Sequence, residues 1–269
     1  MNIYRIQLKV KKLSWSKFTT INKIKLMKQI LKDIFKEVKS QPTIVLFPAG
    51  VFDFPISKKI YIQRLSKLFS LFLKIYGKSS IIVFGIDFGV NKHTNTIKQA
   101  KKQMAVAISK DGIIALSNKF FSTKQEQGKI NLSSSPYAKI DGFNAFFKYN
   151  NQSFVMAICY DVFGLRKKKI KLKKDIVILN LIHIFKKSEE GSGVFRYIKN
   201  GLARASYYFS CQVFCAAIFE DKDYHNYTSG IFVSYEVLNT WKYNDNEQKS
   251  ESSKKQYVEI LARIDKSFL

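Results

Sequence analysis

The chain has 269 residues, 46% of them apolar, and carries 46 lysines and arginines against 20 aspartates and glutamates, a formal charge of +26. That apolar share can build a buried core, which excludes disorder over most of the length, and no run of about 18 apolar residues exists to cross a membrane as a helix. The polar-interrupted, basic start lacks the pattern of a secretory signal, and Cys159, Cys211 and Cys215 are too few and too odd for a disulfide framework, so a reduced, cytoplasmic protein is expected.

Asn2–Val10 alternates apolar with polar residues, the mark of a half-buried strand. Residues 21–38 place apolar side chains at helical spacing with lysines opposite. Thr43–Phe47 is a short apolar run stopped by Pro48 and Gly50, which predicts a buried parallel strand. A second amphipathic helix follows over residues 60–75, then a buried strand at Ser80–Phe84. This β-α-β-α-β opening predicts a layered α/β fold.

Further on, Gln103–Ser109 and Ile113–Ser117 flank Lys110-Asp111-Gly112, whose Asp-Gly is a hairpin signal. Phe143–Lys148 and Ser153–Ile158 flank a second turn at Tyr149-Asn150-Asn151-Gln152. Asp175–Leu181 predicts a buried strand, residues 196–208 a helix, and Gln212–Ile218, Ser229–Tyr235 and Tyr257–Ile264 further strands. Two α/β halves joined by antiparallel hairpins result, and no Pro- or Gly-rich linker divides them. One domain over residues 1–269 is expected.

The basic charge is almost all lysine: only Arg5, Arg64, Arg166, Arg196, Arg204 and Arg263 are arginines. Arginine's planar fork grips phosphates and guanine edges, whereas lysine is a point charge. Lysines spread along the whole chain beside abundant Ile, Asn, Phe and Tyr read as a solvated surface shaped by AT-rich coding. A nucleic acid or anionic surface is the less favoured partner, with the run Arg166–Lys174 (RKKKIKLKK) as its densest contact.

Chemistry gathers at Cys159, which ends the apolar strand Phe154–Ile158 and opens Cys159-Tyr160-Asp161. A thiol at a strand end is a nucleophile if a base or cation lowers its pKa; the alternative is a buried structural cysteine. Cys211 and Cys215 have no partner set that completes a zinc site, and no Gly-rich phosphate loop is present, so neither a metal nor another cofactor is expected. His93 and His225 fall in polar, loop-like segments.

The ordered set Thr43–Pro48 (TIVLFP), Ala105–Ser109 with its Asp-Gly turn, Asn118-Lys119-Phe120, Ala157–Asp161 (AICYD), Ile176–Asn180 (IVILN), Leu202–Ser206 (LARAS) and Cys211–Ala217 resembles the nitrilase, or carbon–nitrogen hydrolase, superfamily. Gly230–Tyr235 and the closing strand to Asp265 extend the resemblance over nearly the whole chain. It implies a four-layer αββα sandwich, a homo-oligomer (dimer or larger) and a small amide or nitrile substrate. It also implies a Glu–Lys–Cys triad, often with a second Glu. Cys159 matches the nucleophile, Lys119 the lysine and Glu126 the second Glu, while His183, Tyr160 and Asn180 fall where the family lines its pocket.

The family's first Glu directly follows the Phe-Pro of the TIVLFP strand, and this chain has Ala49 there. General acid–base catalysis commonly contributes about 10²–10⁴-fold, so a replacement is needed for activity. Three residues stand open for the role: Asp53, four positions on; His183, whose imidazole is a competent base near neutral pH; and Glu126 acting alone. The leading expectation is an amidase-type hydrolase working through a Cys159 thioester. The alternative is a catalytically impaired relative that binds a small molecule or a protein partner.

Overall fold

A computed structural model of the chain describes residues 1–10, 18–38, 40–55, 59–89, 102–185, 198–219, 231–232, 250–257 and 260–268. The strands are β1 (Asn2–Val10), β2 (Thr43–Leu46), β3 (Phe52–Phe54), β4 (Ser80–Phe88), β5 (Lys102–Ser109), β6 (Gly112–Asn118), β7 (Phe146–Tyr149), β8 (Gln152–Ile158), β9 (Ile176–Phe185), β10 (Val213–Phe219), β11 (Ile231–Phe232), β12 (Ser250–Tyr257) and β13 (Ile260–Phe268). The helices are α1 (Thr20–Val38), α2 (Lys59–Tyr76), α3 (Asp161–Lys167) and α4 (Arg204–Phe209), the last preceded by a π-helical turn at Ile198–Ala203.

All 13 strands belong to one hydrogen-bonded sheet, in the order β6-β5-β4-β2-β1-β10-β9-β8-β7. β13 lies antiparallel to β1, β12 flanks β13, β11 flanks β10 and β3 flanks β4. β1, β2 and β4 run parallel, as do β8, β9 and β10, which the helical crossovers require. Both predicted hairpins form: β5 with β6 around the Asp-Gly turn, and β7 with β8.

Alternation along the strands sorts the apolar side chains into layers. Ile44, Leu46, Ile81 and Val83 of the first half meet Phe154, Met156, Ile158, Leu179 and Leu181 of the second, so the sheet is folded onto itself around an inner core. On one outer face Met27, Ile30 and Ile34 of α1 and Phe69 and Leu73 of α2 cover Val45, Phe84 and Ile86. On the other, Val162, Leu165 and Ala205 cover Val155, Ala157 and Ile178. The result is the four-layer αββα sandwich. Among the described residues, no helix is long and apolar enough to cross a membrane.

Several boundaries differ from the sequence reading. β4 runs on through Gly85 to Phe88, because Gly85 supports the strand at a site where a Cβ would lie 2.4 Å from the Ala49 Cα. β9 continues to Phe185 instead of stopping at Leu181, since its last residues still pair with β10. β3 and β12 were not expected: the first has three residues, and the second, SESSKKQY, has the polar composition of an edge and, among the described residues, pairs with β13. The predicted strand Tyr257–Ile264 divides between the end of β12 and β13. Of the predicted Ser229–Tyr235 strand, Ile231 and Phe232 are described, and the helix predicted over 196–208 is described from Ile198. His93, His225 and most of the loop 184–194 lie outside the described residues.

Candidate active site

β8 delivers Cys159 into a sharp elbow. Its φ of 48° lies in the left-handed region, unusual for a residue with a side chain, and its N–H donates to Leu181 O at 2.8 Å. β8 and β9 run parallel with Ile158 opposite Leu181, so the residues just beyond that pair converge at the same sheet end. There the Cys159 Sγ lies 3.1 Å from His183 Nδ1 and accepts from the His183 backbone N–H at 3.2 Å. The other ring nitrogen, His183 Nε2, is 2.9 Å from Asp87 Oδ1 on the extended part of β4.

The imidazole rests against Gly50. A Cβ on Gly50 would stand 3.0 Å from His183 Cδ2 and 3.2 Å from Asp87 Oδ2, and the residue's φ of +60° also favours glycine. Neighbouring Ala49 is buried and donates its N–H to Ile182 O at 3.1 Å, which sews the loop after β2 to the strand carrying His183. Thus the loop after β2 presents two small residues, Ala49 and Gly50, and an imidazole from the opposite half stands alongside.

The electrostatics favour an ion pair. Burial alone would push the Cys159 thiol up, but the charge and hydrogen bonds of His183, together with Lys119, hold it below its ordinary value. Burial alone would lower His183, yet Asp87 and Cys159 push it up to about 10. Each group thus favours the charged form of the other: the imidazolium lowers the thiol, and the thiolate raises the imidazole. The other thiols are the opposite case: burial drives Cys211 up to about 12 and Cys215 higher still.

Lys119 sits directly after β6, fully buried, with its N–H on Gln103 O at 2.9 Å and its Nζ 2.7 Å from Glu126 Oε1. Burial works against its charge, but Cys159 and Glu126 outweigh that and raise its pKa. Glu126 is held in a capping box: its Oε2 accepts from Thr123 N at 3.0 Å while Thr123 Oγ1 accepts from Glu126 N at 3.2 Å. Burial would raise the Glu126 carboxyl, but Lys119 and Thr123 hold it below the usual range.

Of the other sequence-predicted residues, Tyr160 follows Cys159 and stacks on Phe163 at 4.9 Å between centroids. Burial and the Cys159 charge raise its phenol pKa. Asn180 is fully buried within β9, opposite Cys215 and hydrogen-bonded to it. Asp53 is an ion-pair partner of the buried Lys23 on α1, which removes it as a substitute base. In the basic run, Lys168 Nζ donates to Phe120 O at 3.0 Å and Ser134 O at 3.2 Å, while Lys167, Lys169, Lys171, Lys173 and Lys174 are exposed.

Sequence reasoning missed Asp87. The available signal was the polar residue in Ile86-Asp87-Phe88, an interruption of an otherwise apolar strand that needs a partner once buried. Among the described residues, no group of three or more His, Cys, Asp or Glu side chains is placed to hold a metal.

No family model matches the chain, and no curated protein matches it by sequence. Solved structures do. An amidase of the nitrilase superfamily from Nesterenkonia, determined as a cysteine-to-alanine mutant, superposes with a TM-score of 0.57 at 10% identity, over 81% of this chain and 76% of its own. A CN-hydrolase superfamily protein from Xanthomonas campestris with an arsenic adduct in its active site gives 0.53 at 9% identity, over 88% and 84%. A carbon–nitrogen hydrolase from Helicobacter pylori gives 0.50 at 12%, over 80% and 73%. Against a longer neighbour, a glutamine-dependent NAD+ synthetase from Acinetobacter baumannii, the chain spans 38% of the length. At these identities the likeness establishes the fold: this chain has the nitrilase-like αββα architecture.

Proposed function

We propose that this nitrilase-like chain is a thiol-dependent hydrolase of a non-peptide carbon–nitrogen bond in a small amide, with Asp87–His183 in the place of the missing Glu. The observation that carries the reading is the Cys159 Sγ at 3.1 Å from His183 Nδ1, with Asp87 at 2.9 Å on the far ring nitrogen. A nucleophile, a base and a group that orients the base are the parts covalent acyl transfer needs.

In the first half-reaction the Cys159 thiolate attacks the substrate's carbonyl carbon, and the carbonyl π pair moves to oxygen, where the buried Lys119 ammonium stabilises it. The oxyanion collapses, the C–N bond breaks, and the leaving nitrogen takes the proton held by His183. The products are an amine and a Cys159 thioester. Water then attacks the thioester carbon and gives a proton to His183. The C–S bond breaks, and the acid and the thiolate–imidazolium pair are restored. Asp87 keeps the ring oriented and its cation favoured throughout. Glu126, itself anchored by Thr123, keeps Lys119 charged and in place. A reducing, cytoplasmic setting suits an unprotected thiolate of this kind.

Ala49 favours a second reading, a pocket that binds without turnover. Iodoacetamide labelling of Cys159 across pH, read by mass spectrometry beside Cys159→Ala, separates the two. The hydrolase predicts rapid labelling at pH 6–7, far ahead of Cys211 and Cys215, and a mass increment of trapped acyl group when a panel of small amides is offered. A Cys159 that labels only above about pH 8.5, like a free thiol, would sink the hydrolase reading.

A further inference from the structure

The chemistry proposed above gives Asp161 no task, yet this residue is fully buried and makes three hydrogen bonds to main-chain groups. Its Oδ2 accepts from Ile158 N at 3.0 Å, and its Oδ1 accepts from Phe120 N at 2.9 Å and Phe121 N at 2.8 Å. Ile158 immediately precedes the nucleophile, and Phe120 and Phe121 immediately follow Lys119. One carboxylate thus ties together two segments that are 41 and 40 residues apart in sequence.

Both segments need holding. Cys159 occupies a left-handed backbone conformation at φ 48°, which is strained for a residue with a side chain and persists only when the surroundings over-determine it. The bond from Asp161 back to Ile158 closes the elbow on both sides of Cys159. Lys119 is a fully buried ammonium whose Nζ is held by Glu126, and the segment that carries it must in turn be fixed relative to the Cys159 elbow. The same segment is clasped onto α3 twice more. Lys168 Nζ donates to Phe120 O at 3.0 Å, and Phe121 packs so tightly on Gly164 that a Cβ there would lie 2.4 Å from the Phe121 Cβ.

We propose that Asp161 is the positioning residue of this site, locking the Cys159 elbow and the Lys119 segment into one unit so that thiolate and ammonium face each other. This deepens the hydrolase reading and rests on Cys159 being its nucleophile. Asp161 touches no reacting atom; it acts through the two residues it aligns.

The sign of one measurement distinguishes positioning from charge. His183 on β9, with Asp87 of β4 behind it, and Lys119 after β6 act on Cys159; Glu126 and Asp161 act on Lys119; and Tyr160 of the same turn and Cys215 on β10 feel the Cys159 charge. Burial pushes the Asp161 carboxyl up to about 7, against Lys119 and the three N–H donors that favour its charge. Wherever it is ionised it opposes a thiolate nearby, so removing that charge alone would make Cys159 more acidic. Releasing the elbow and Lys119 does the reverse. Asn is nearly isosteric, but its Nδ2 meets an N–H donor with another donor and cannot accept.

The experiment compares Cys159 alkylation by iodoacetamide against pH in wild type and Asp161→Asn, with circular dichroism to verify folding. The expected result is a profile displaced to higher pH, with labelling at pH 6.5 slower by about tenfold, the effect of about one pH unit in thiol acidity. An unchanged profile with lowered Tm would make Asp161 a purely structural buttress, and a profile displaced to lower pH would make it a charge; either overturns the proposal. If Asp161→Asn does not fold, Gly164→Ala is measured instead, because it pushes Phe121 off α3 with Asp161 intact. The same slowing is expected there, and wild-type labelling overturns the proposal. The hydrolase reading fails separately, on the wild-type profile alone.

Discussion

Asp87→Ala tests the replaced base most directly. Asp87 and His183 form a mostly buried pair, with side-chain exposures of 16% and 22% and an Nε2–Oδ1 distance of 2.9 Å. At that distance and an effective dielectric of 20 the Coulomb attraction is about 6 kcal/mol, most of it offset by the desolvation of both groups. Hydrogen bonds to charged groups contribute about 1.5–3 kcal/mol net. A loss near 2 kcal/mol corresponds to about 1.5 pH units in the imidazole's basicity. His183 stands above its ordinary 6.5, at about 10, so its contribution to stability is fully present below pH 6.5 and is lost as pH rises through about 10. The variant's stability deficit must therefore be largest below pH 6.5 and fade toward pH 10. Without the imidazolium's full support the thiolate fraction also falls, and Cys159 alkylation at pH 7 should slow by about 10–30-fold. Urea unfolding at several pH values gives the first quantity, and iodoacetamide kinetics the second. A variant that labels as fast as wild type, while His183→Ala does not, would refute the assignment of Asp87 as the group that holds the base.

Two further outcomes follow from the packing. Gly50→Ala places a Cβ 3.0 Å from the imidazole at a φ of +60°, so it should cost about 1–2 kcal/mol of stability and tilt His183 off the thiol, slowing labelling while leaving far-ultraviolet circular dichroism unchanged. Lys23→Met leaves Asp53, only 12% exposed, without its buried cation and should cost about 3 kcal/mol in urea unfolding; labelling of Cys159 in the folded protein should stay at the wild-type rate, because this pair belongs to α1 and β3 rather than to the site.

What could be read beforehand was whatever local periodicity encodes. The apolar runs of β2, β8 and β9, the amphipathic helices α1 and α2, and the Asp-Gly turn between β5 and β6 each announce themselves within a few residues. Cys159 stood out because it ends a strand, and Lys119, one lysine among many, only through its matched position in the family resemblance. Asp87 was missed because the apolar run was ended at Phe84; the strand goes on through Gly85, where a Cβ would meet the Ala49 backbone at 2.4 Å. His183 could be named as one of three replacement bases but not chosen, since its distance from Cys159 depends on the register of β8 on β9 and on the length of β9. Long-range pairing of that kind has no local signature. Asp53 looked equally available until its pairing with Lys23 was visible.

Ala49, Gly50 and His183 fit together sterically. The small side chain at position 49 and the bare Gly50 leave room beside the thiol, and the imidazole uses that room from the far half of the sheet. The site is consequently stitched across the inner core. Asp87 and Lys119 come from the half that contains β4, β5 and β6; Cys159 and His183 come from β8 and β9; the Ala49 N–H to Ile182 O bond and the Asp161 clamp are the two seams. Leu46 and Val83 packing on Ile158 and Leu181 set the spacing that both seams need. Asp87 can hold its 2.9 Å contact with His183 from the opposite half only while that core stays closed, so the basicity of one imidazole reports how firmly the two halves of the sandwich are packed.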